Sequence, residues 1–401
     1  MSEAPDQSPD PLEQSQELSE NLLKVSQQYQ EVLSRFLERN LDENIVHQTD
    51  PLNITDAISA LTHAMMEQPA RLLEAQMGLW RDFMGLWQNA ALRAMGQEVE
   101  PFVSPEPGDR RFKSEQWQQN QIFDLIKQSY LVTARWFLKT VDEINDTLDE
   151  ETQHKLDFYT KQFVDALSPS NFIMTNPEVL QATIDTKGEN LINGLQNILS
   201  DLEKGRGPLD PTMVNEEAFE VGKNIATSPG KVIYQTDVMQ LIQYEPATEK
   251  VFKKPLLIIP PWINKFYILD LQPKNSFIKW AVEKGYTVFV VSWVNPDTKL
   301  AQKTFEDYMD EGPLAALDAI KLATGEEKVN AIGYCIGGTL LATLLAHMGA
   351  TGDDRITAAT FFTTQVDFTE AGDLRVFADE KTIQALDARM GEKGYLDAST
   401  M

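Results

Sequence analysis

Five short apolar stretches in the second half of the chain constrain its fold more than any other feature. "GKVIYQTDVMQLIQY" reads as two short strands, and "KKPLLIIPP" as a buried strand stopped by Pro260 and Pro261. "YTVFVVSW" (286–293), "KVNAIG" (328–333) and "RITAATFFTTQVDF" are further runs of strand length. Between them lie "SFIKWAVEKG" and "PLAALDAIKLATG", whose apolar residues recur at helical spacing. Strands alternating with helices of about ten residues build βαβ units, and therefore a mostly parallel sheet with helices on its faces.

The first half has another rhythm. From Asp50 to about Ser200 the apolar period is helical,. "NITDAISALTHAMMEQPARLLEAQMGLWRDFMGLWQNAALRAMG" is the clearest case, with Asn53 or Thr55 suited to cap its start,. "MGLW" occurs twice in it, seven residues apart, which puts Trp80 and Trp87 on one face. Such a stripe is more often core or a helix–helix seam than a partner surface. A second long helix is expected over about Gln116 to Leu148. Two more fall within "NPEVLQATIDTKGENLINGLQNILSDLEKG", with Gly205 ending the second. The rhythm changes near Pro208. The expected organisation is an acidic, partly disordered tail over 1–50, its first twenty residues without structure and a helical stretch following from about Leu18 to Leu41; a helical domain over 51–215; and an α/β domain over 216–401.

Six carboxylates fall in the first twenty residues, and no Lys or Arg precedes Lys24. That is the reverse of a secretory leader. No apolar run is long enough to cross a membrane as a helix. The formal charge of −26 opposes nucleic acid as the main partner,. One cysteine in 401 residues rules out an intramolecular disulfide framework and fits a reducing compartment,.

That cysteine, Cys335, sits in "GYCIGG", where the strand "KVNAIG" hands over to the helical "GGTLLATLLAHMG". This is the setting of a nucleophile elbow, with sulfur at the centre of a G-x-S-x-G-type turn. Such a turn holds its central residue at a strained backbone angle above the sheet. Gly333 and Gly337 are required if a Cβ at either place collides with the neighbouring strand or helix, and Gly338 lets the helix come close. The helix N-terminus lends partial positive charge beside the sulfur.

Acyl transfer at such a centre needs an oxyanion hole. One donor is the amide after the nucleophile, here Ile336. The loop after "PLLIIPP" would supply the second, so the amides of Ile263 and Asn264 are candidates; an ordinary apolar loop is the plainer reading of Trp262–Tyr267. A general base is also needed. His47, His63 and His154 lie in the helical half. His347 follows Cys335 by twelve residues on one helix, about 18 Å away at 1.5 Å per residue,. In hydrolases the acid and histidine come from later strands. The elbow therefore stands here without its base, and a truncated reading frame is the expected reason.

The motifs together resemble the N-terminal part of a class I polyhydroxyalkanoate synthase. The stretches that carry the resemblance are "FDLIKQSYLVTARWFL", "SPSNFIMTNPEVLQATIDTKGENLINGLQNILSDLEKG", "PPWINKFYILDLQP", "GYTVFVVSWVNPD", "EDYMDEGPLAALDAI" and "GYCIGGTLLA", in family order from about residue 100 to the end. The resemblance implies an incomplete α/β-hydrolase fold after a helical domain, with a cap region beginning near 369. It implies polymerisation of (R)-3-hydroxyacyl-CoA, short-chain substrates such as 3-hydroxybutyryl-CoA included, with CoA released and the growing polyester carried on Cys335. No cofactor is required, because the thioester is itself the substrate. The family's Asp and His lie beyond residue 401, and Asp367 precedes the cap rather than joining a triad. A homodimer on the surface of cytoplasmic polyester granules, in contact with granule-associated proteins, is the implied setting; the chain by itself is expected to be inactive. The rival readings are a thiol esterase or depolymerase of the same fold, and a non-catalytic granule-binding protein.

Overall fold

The computed structural model describes residues 11–40, 54–204, 211–263 and 265–396. They divide into two compact units: residues up to Met213 together with Asp373–Thr382, and Val214–Gly372 together with the residues from Ile383 onward.

The first unit is helical. Its helices are α1 (Pro11–Asn40), α2 (Ile54–Glu67), α3 (Pro69–Ala94), α4 (Gln116–Gln119), α5 (Gln121–Asn145), α6 (Glu150–Ala166), α7 (Pro177–Asp185) and α8 (Glu189–Glu203). Helix α1 covers most of the helical stretch expected from about Leu18 to Leu41, but it begins earlier, at Pro11, among the first twenty residues expected to be without structure. Proline, with its φ fixed near the helical value, suits the first helical turn. The 53–95 stretch is two helices, because Pro69 opens α3 and forces Gln68 out of helical geometry (φ −120°, ψ 53°),. Thr55 lies inside α2, while Asn53 and Gly205 lie outside the described residues. The expected 116–148 helix breaks at Asn120, whose side chain accepts from the amides of Ile122 and Phe123 and caps α5,. Trp117, fully buried, packs with Leu86, Phe112, Leu131 and Val132. Trp80 and Trp87 depart from the reading as core: they are 69% and 60% exposed.

Charges are also buried in this unit. Asp124 pairs with Arg93 and Lys127 and accepts from Gln128 Nε2 at 2.7 Å. The Lys155 ammonium lies 2.6 Å from Asp379, which also accepts from the Lys381 and Thr382 amides. Burial raises the Asp379 pKa, but hydrogen bonds from Lys155 and Thr382 outweigh it and bring it down to about 2,.

The second unit is built on one six-stranded sheet: β1 (Gly230–Gln235), β2 (Met239–Tyr244), β3 (Leu256–Ile259), β4 (Val288–Trp293), β5 (Val329–Tyr334) and β6 (Ile356–Phe362). The spatial order is β1-β2-β4-β3-β5-β6. β3, β4, β5 and β6 are parallel, and β2 runs antiparallel to both β1 and β4. The first hairpin is thus the antiparallel part of a mixed, mostly parallel sheet, the arrangement of an α/β hydrolase. Helices α9 (Phe277–Glu283), α10 (Phe305–Met309), α11 (Ala315–Thr324) and α12 (Ile336–Thr351) follow β3, β4 and β5; α13 (Glu380–Lys393) comes last.

Strand alternation divides the core into two layers. Leu257, Ile259, Phe289 and Val291 pack on one face against Leu317, Ile320, Leu340 and Leu344 of α11 and α12. Ile258, Val288 and Val290 pack on the other, against Ile278, Ala281 and Val282 of α9. All four residues of β3 are buried, as befits a central parallel strand,. Between α10 and α11 a π-type turn, Asp310–Leu314, carries Gly312 at φ −95°, ψ −107°. A Cβ there would lie 2.8 Å from the Trp293 ring, so the turn is shaped around that indole.

Candidate active site

The site forms where β5 ends. The Cys335 amide donates to the Phe362 carbonyl at 2.9 Å, which extends the β5–β6 ladder by one residue. The Cys335 carbonyl then accepts from the amides of Gly338 and Thr339, the first bonds of α12. Strand and helix can meet this sharply only with Cys335 at φ 54°, ψ −125°, a left-handed angle that non-glycine residues avoid,. The Cys335 side chain is exposed.

The three glycines fit against this turn for different reasons. A Cβ on Gly333 would lie 2.4 Å from the Gly338 Cα, so strand and helix touch backbone to backbone. One on Gly337 would lie 2.4 Å from the Ile259 carbonyl oxygen and 2.5 Å from that of Pro260, at the end of β3. One on Gly338 would overlap the Thr364 hydroxyl at 1.9 Å. The β3 backbone closes one side of the elbow and the segment after β6 closes the other.

That second clamp was not anticipated from the sequence. Thr363, β-branched, sits at φ 43°. Thr364 Oγ1 donates to the Phe362 carbonyl at 3.1 Å, and Thr339 Oγ1, in the first turn of α12, donates to the Gln365 carbonyl at 2.7 Å. The available signal was "TTQ" directly after an apolar strand, hydroxyls placed to satisfy carbonyls where the ladder ends,.

Ile336 is the first residue of α12, and its amide has no carbonyl within the helix to receive it,. Ile263, 61% exposed, lies four residues beyond the last residue of β3, in the segment that leaves the sheet beside Gly337. Asn264 lies outside the described residues, as does His47. His63 and His154 belong to α2 and α6 of the helical unit, and His347 lies far along α12. Asp367 is engaged locally: hydrogen bonds from the Thr369 side chain and backbone lower its pKa. Among the described residues no cluster of His, Cys, Asp or Glu is suited to a metal ion, and no helix is long and apolar enough to cross a membrane.

Next to the elbow is an aromatic group. Trp262 packs against Trp293 (5.7 Å between ring centres), Tyr308 (5.6 Å) and Phe305 (6.1 Å). Trp293 Nε1 donates to the Pro260 carbonyl at 2.8 Å, the same carbonyl that a Gly337 side chain would strike.

A family description for the N-terminus of poly-beta-hydroxybutyrate polymerase matches residues 108–281, and one for the alpha/beta hydrolase fold matches residues 254–388. The chain is 51% identical over 348 residues to the poly(3-hydroxyalkanoate) polymerase of Methylorubrum extorquens, covering 87% of this chain and 57% of that protein. It is 47% identical over 386 residues to the corresponding PhaC subunit of Rhizobium meliloti, covering 96% and 63%. With that of Cupriavidus necator it shares 39% over 323 residues, covering 80% and 53%. The chain thus spans less than two thirds of the length of these relatives.

Proposed function

We propose, from the premise that this chain is a homologue of the polyhydroxyalkanoate synthases, that Cys335 accepts the acyl group of an (R)-3-hydroxyacyl-CoA and carries it toward polyester. The observation that supports this most is the exposed thiol held at a left-handed backbone angle between β5 and α12. A side chain strained in this way and turned to solvent serves chemistry rather than packing.

In the proposed step the Cys335 sulfur attacks the thioester carbonyl. The carbonyl oxygen becomes an oxyanion, held by the Ile336 amide and by the amide of Ile263 in the segment after β3. Collapse expels CoA as its thiolate and leaves the acyl group on sulfur. One thioester has replaced another, so the acyl group stays activated. A 3-hydroxyl of the next 3-hydroxyacyl-CoA then attacks the acyl–sulfur carbon and loses its proton to a base; the carbon–sulfur bond breaks, expelling the Cys335 thiolate, and the oxoester formed, lower in energy than the thioester, still ends in the CoA thioester of the new unit. Gly333, Gly337 and Gly338 keep the turn tight enough to present the sulfur, and short-chain 3-hydroxyacyl groups are the substrates proposed.

The chain by itself is proposed to accept an acyl group but not to turn over, since no described histidine stands at a strand end of the sheet and His347, on α12, is about 18 Å along the helix from Cys335,. The exposed α3 stripe of Met77, Trp80, Met84 and Trp87 supports attachment to the apolar surface of a polyester granule in the cytoplasm, and a homodimer completes the reading. The test is CoA release from 3-hydroxybutyryl-CoA at alkaline pH, where hydroxide substitutes for a base. The expected result, above the hydrolysis of the thioester in protein-free buffer, is one CoA per chain, no excess from Cys335→Ala, and no polymer. Release by Cys335→Ala equal to that of the parent would refute the assignment.

A further inference from the structure

The two oxyanion donors proposed above sit on different elements: Ile336 opens α12, and Ile263 follows β3. Both must reach one oxygen at about 2.7–3.1 Å, so something has to fix the segment after β3 against the elbow. That segment begins with Pro260 and Pro261, which donate no N–H,. Pairing of β3 with β4 ends at Ile258 with Val290, and pairing with β5 at Ile259 with Gly333. The main-chain ladder lets go of the chain before Ile263 is reached.

Trp293 takes over where the ladder stops. β4 runs past its last pair with β3 as far as Trp293, whose indole N–H donates to the Pro260 carbonyl at 2.8 Å. The proline ring fixes φ at Pro260, so the direction of that carbonyl depends on ψ alone, and the indole bond holds this last soft angle. Trp293 is itself held. Its backbone pairs with Met239 of β2, and the next amide, Val294, donates to the Val238 carbonyl at 2.9 Å. Its ring lies against Gly312, where a Cβ would come within 2.8 Å, and beside Tyr308 at 5.8 Å between ring centres. The other indole of the group, Trp262, makes no such bond: its N–H is buried with no acceptor among the described residues. The Pro260 oxygen also packs against Gly337, the residue after Ile336, where a Cβ would lie 2.5 Å from it.

We propose that Trp293 is a positioning residue for acyl transfer: its indole N–H, through the Pro260 carbonyl, sets the Ile263 amide at the distance from the Ile336 amide that one oxyanion requires. The inference rests on the reading of Cys335 as the acyl acceptor with those two amides as donors. Trp293 touches neither the sulfur nor the thioester. It acts through one peptide group, which meets the elbow beside Ile336 and leads on to Ile263. Without the bond, ψ of Pro260 is free to turn and the second donor shifts. The elbow, built from β5, β6 and α12, keeps its form.

The test is single-turnover acylation of Cys335 by 3-hydroxybutyryl-CoA in the 401-residue chain at alkaline pH, followed by mass at several thioester concentrations. Alkylation of Cys335 by iodoacetamide, which forms no oxyanion, is measured alongside. Trp293→Phe keeps an aromatic ring and loses the N–H. Trp293→His gives up the outer ring but keeps an N–H, Nε2, in nearly the indole position, on an imidazole that is neutral at this pH. Trp293→Phe is expected to lower the maximal acylation rate about tenfold or more, toward the roughly 10²–10³ that loss of a whole donor costs. The half-saturating thioester concentration and the alkylation rate should stay unchanged. Trp293→His should recover most of the acylation rate, and Tyr308→Phe, in the same aromatic group, should lose none. A packing role predicts the reverse order, with Trp293→His the poorer of the two. The proposal is overturned by parent-like acylation of Trp293→Phe, or by acylation of Trp293→His no faster than that of Trp293→Phe. Alkylation that falls in step with acylation, through unfolding or a displaced elbow, overturns it as well. A parent chain that is alkylated but never acylated removes the reading of Cys335 and this role with it. An acylated parent with any of the other adverse results removes the role of Trp293 alone.

Discussion

Gly337 and Gly338 are adjacent on one helix, yet their replacement by alanine should be answered by different rescue. In Gly338→Ala the three atoms nearest the new Cβ all belong to the Thr364 side chain: Oγ1 at 1.9 Å, Cγ2 at 2.7 Å and Cβ at 2.8 Å. Overpacking of this depth costs about 3 kcal/mol. Thr364→Ala removes the two closest atoms and leaves the Cβ at 2.8 Å, a contact that a small shift of the Thr364 backbone must still relieve. By itself it loses the hydroxyl bond to Phe362, about 1 kcal/mol,. The double variant should therefore sit only about 1–2 kcal/mol below the parent, a coupling near 2 kcal/mol in favour of the pair. In Gly337→Ala the colliding atoms are the carbonyls of Ile259 and Pro260, and no side-chain change removes them. That variant combined with Thr364→Ala should be additive within about 0.5 kcal/mol. Amide exchange of the β5 peptide, Val329–Tyr334, reads the local stability of this unit alone. Additive costs for Gly338→Ala with Thr364→Ala would refute the argument that Thr364 is what closes that side of the elbow.

The same geometry sets three further outcomes. Cys335→Gly should be more stable than Cys335→Ala by about 1 kcal/mol in denaturant titration, because glycine relieves the left-handed angle that alanine keeps,; equal stability would show that the turn is unstrained. Lys155→Met should destabilise the helical unit by about 3–5 kcal/mol by leaving Asp379 buried without its cation,. The folded Asp379 pKa lies near 2, below its unfolded value near 4, so the stability it contributes is present above pH 4 and is lost as pH falls from about 4 toward 2,; acid titration of parent against Lys155→Met checks this, and parallel curves would contradict it. Trp80→Gln with Trp87→Gln should weaken binding to amorphous poly-3-hydroxybutyrate particles by at least roughly tenfold while leaving the melting temperature unchanged, since both rings are exposed,; undiminished sedimentation with the particles would remove the stripe from the granule reading.

Much of the hydrolase half was legible because its strands are short apolar runs with proline or glycine at their ends. "PLLIIPP" could be little other than a buried strand, and "GYCIGG" after "KVNA" could be little other than a sharp strand–helix turn. Local signals did not reach as far as pairing. That β2 runs antiparallel to β4, and that β4 lies outside β3, depends on register between segments about fifty residues apart. The Gln68 and Asn120 breaks were missed because the apolar period carries on through them. Pro69 and the Asn120 cap decide those boundaries, and both were visible. Trp80 and Trp87 show the limit of periodicity in another way: it says which residues share a face but not whether a neighbour covers it. Cys335 was found from its glycines alone. Thr339, Thr364 and the unmet Trp262 N–H were not, because each acquires meaning only from a partner, or the lack of one, distant in sequence.

The measurement that bears most directly on the central claim is peptide mapping of the 401-residue chain after exposure to 3-hydroxybutyryl-CoA at alkaline pH. The account predicts a single 3-hydroxybutyryl adduct, on the peptide containing Cys335, removed by hydroxylamine. An unmodified Cys335 alongside acylated lysines would contradict it.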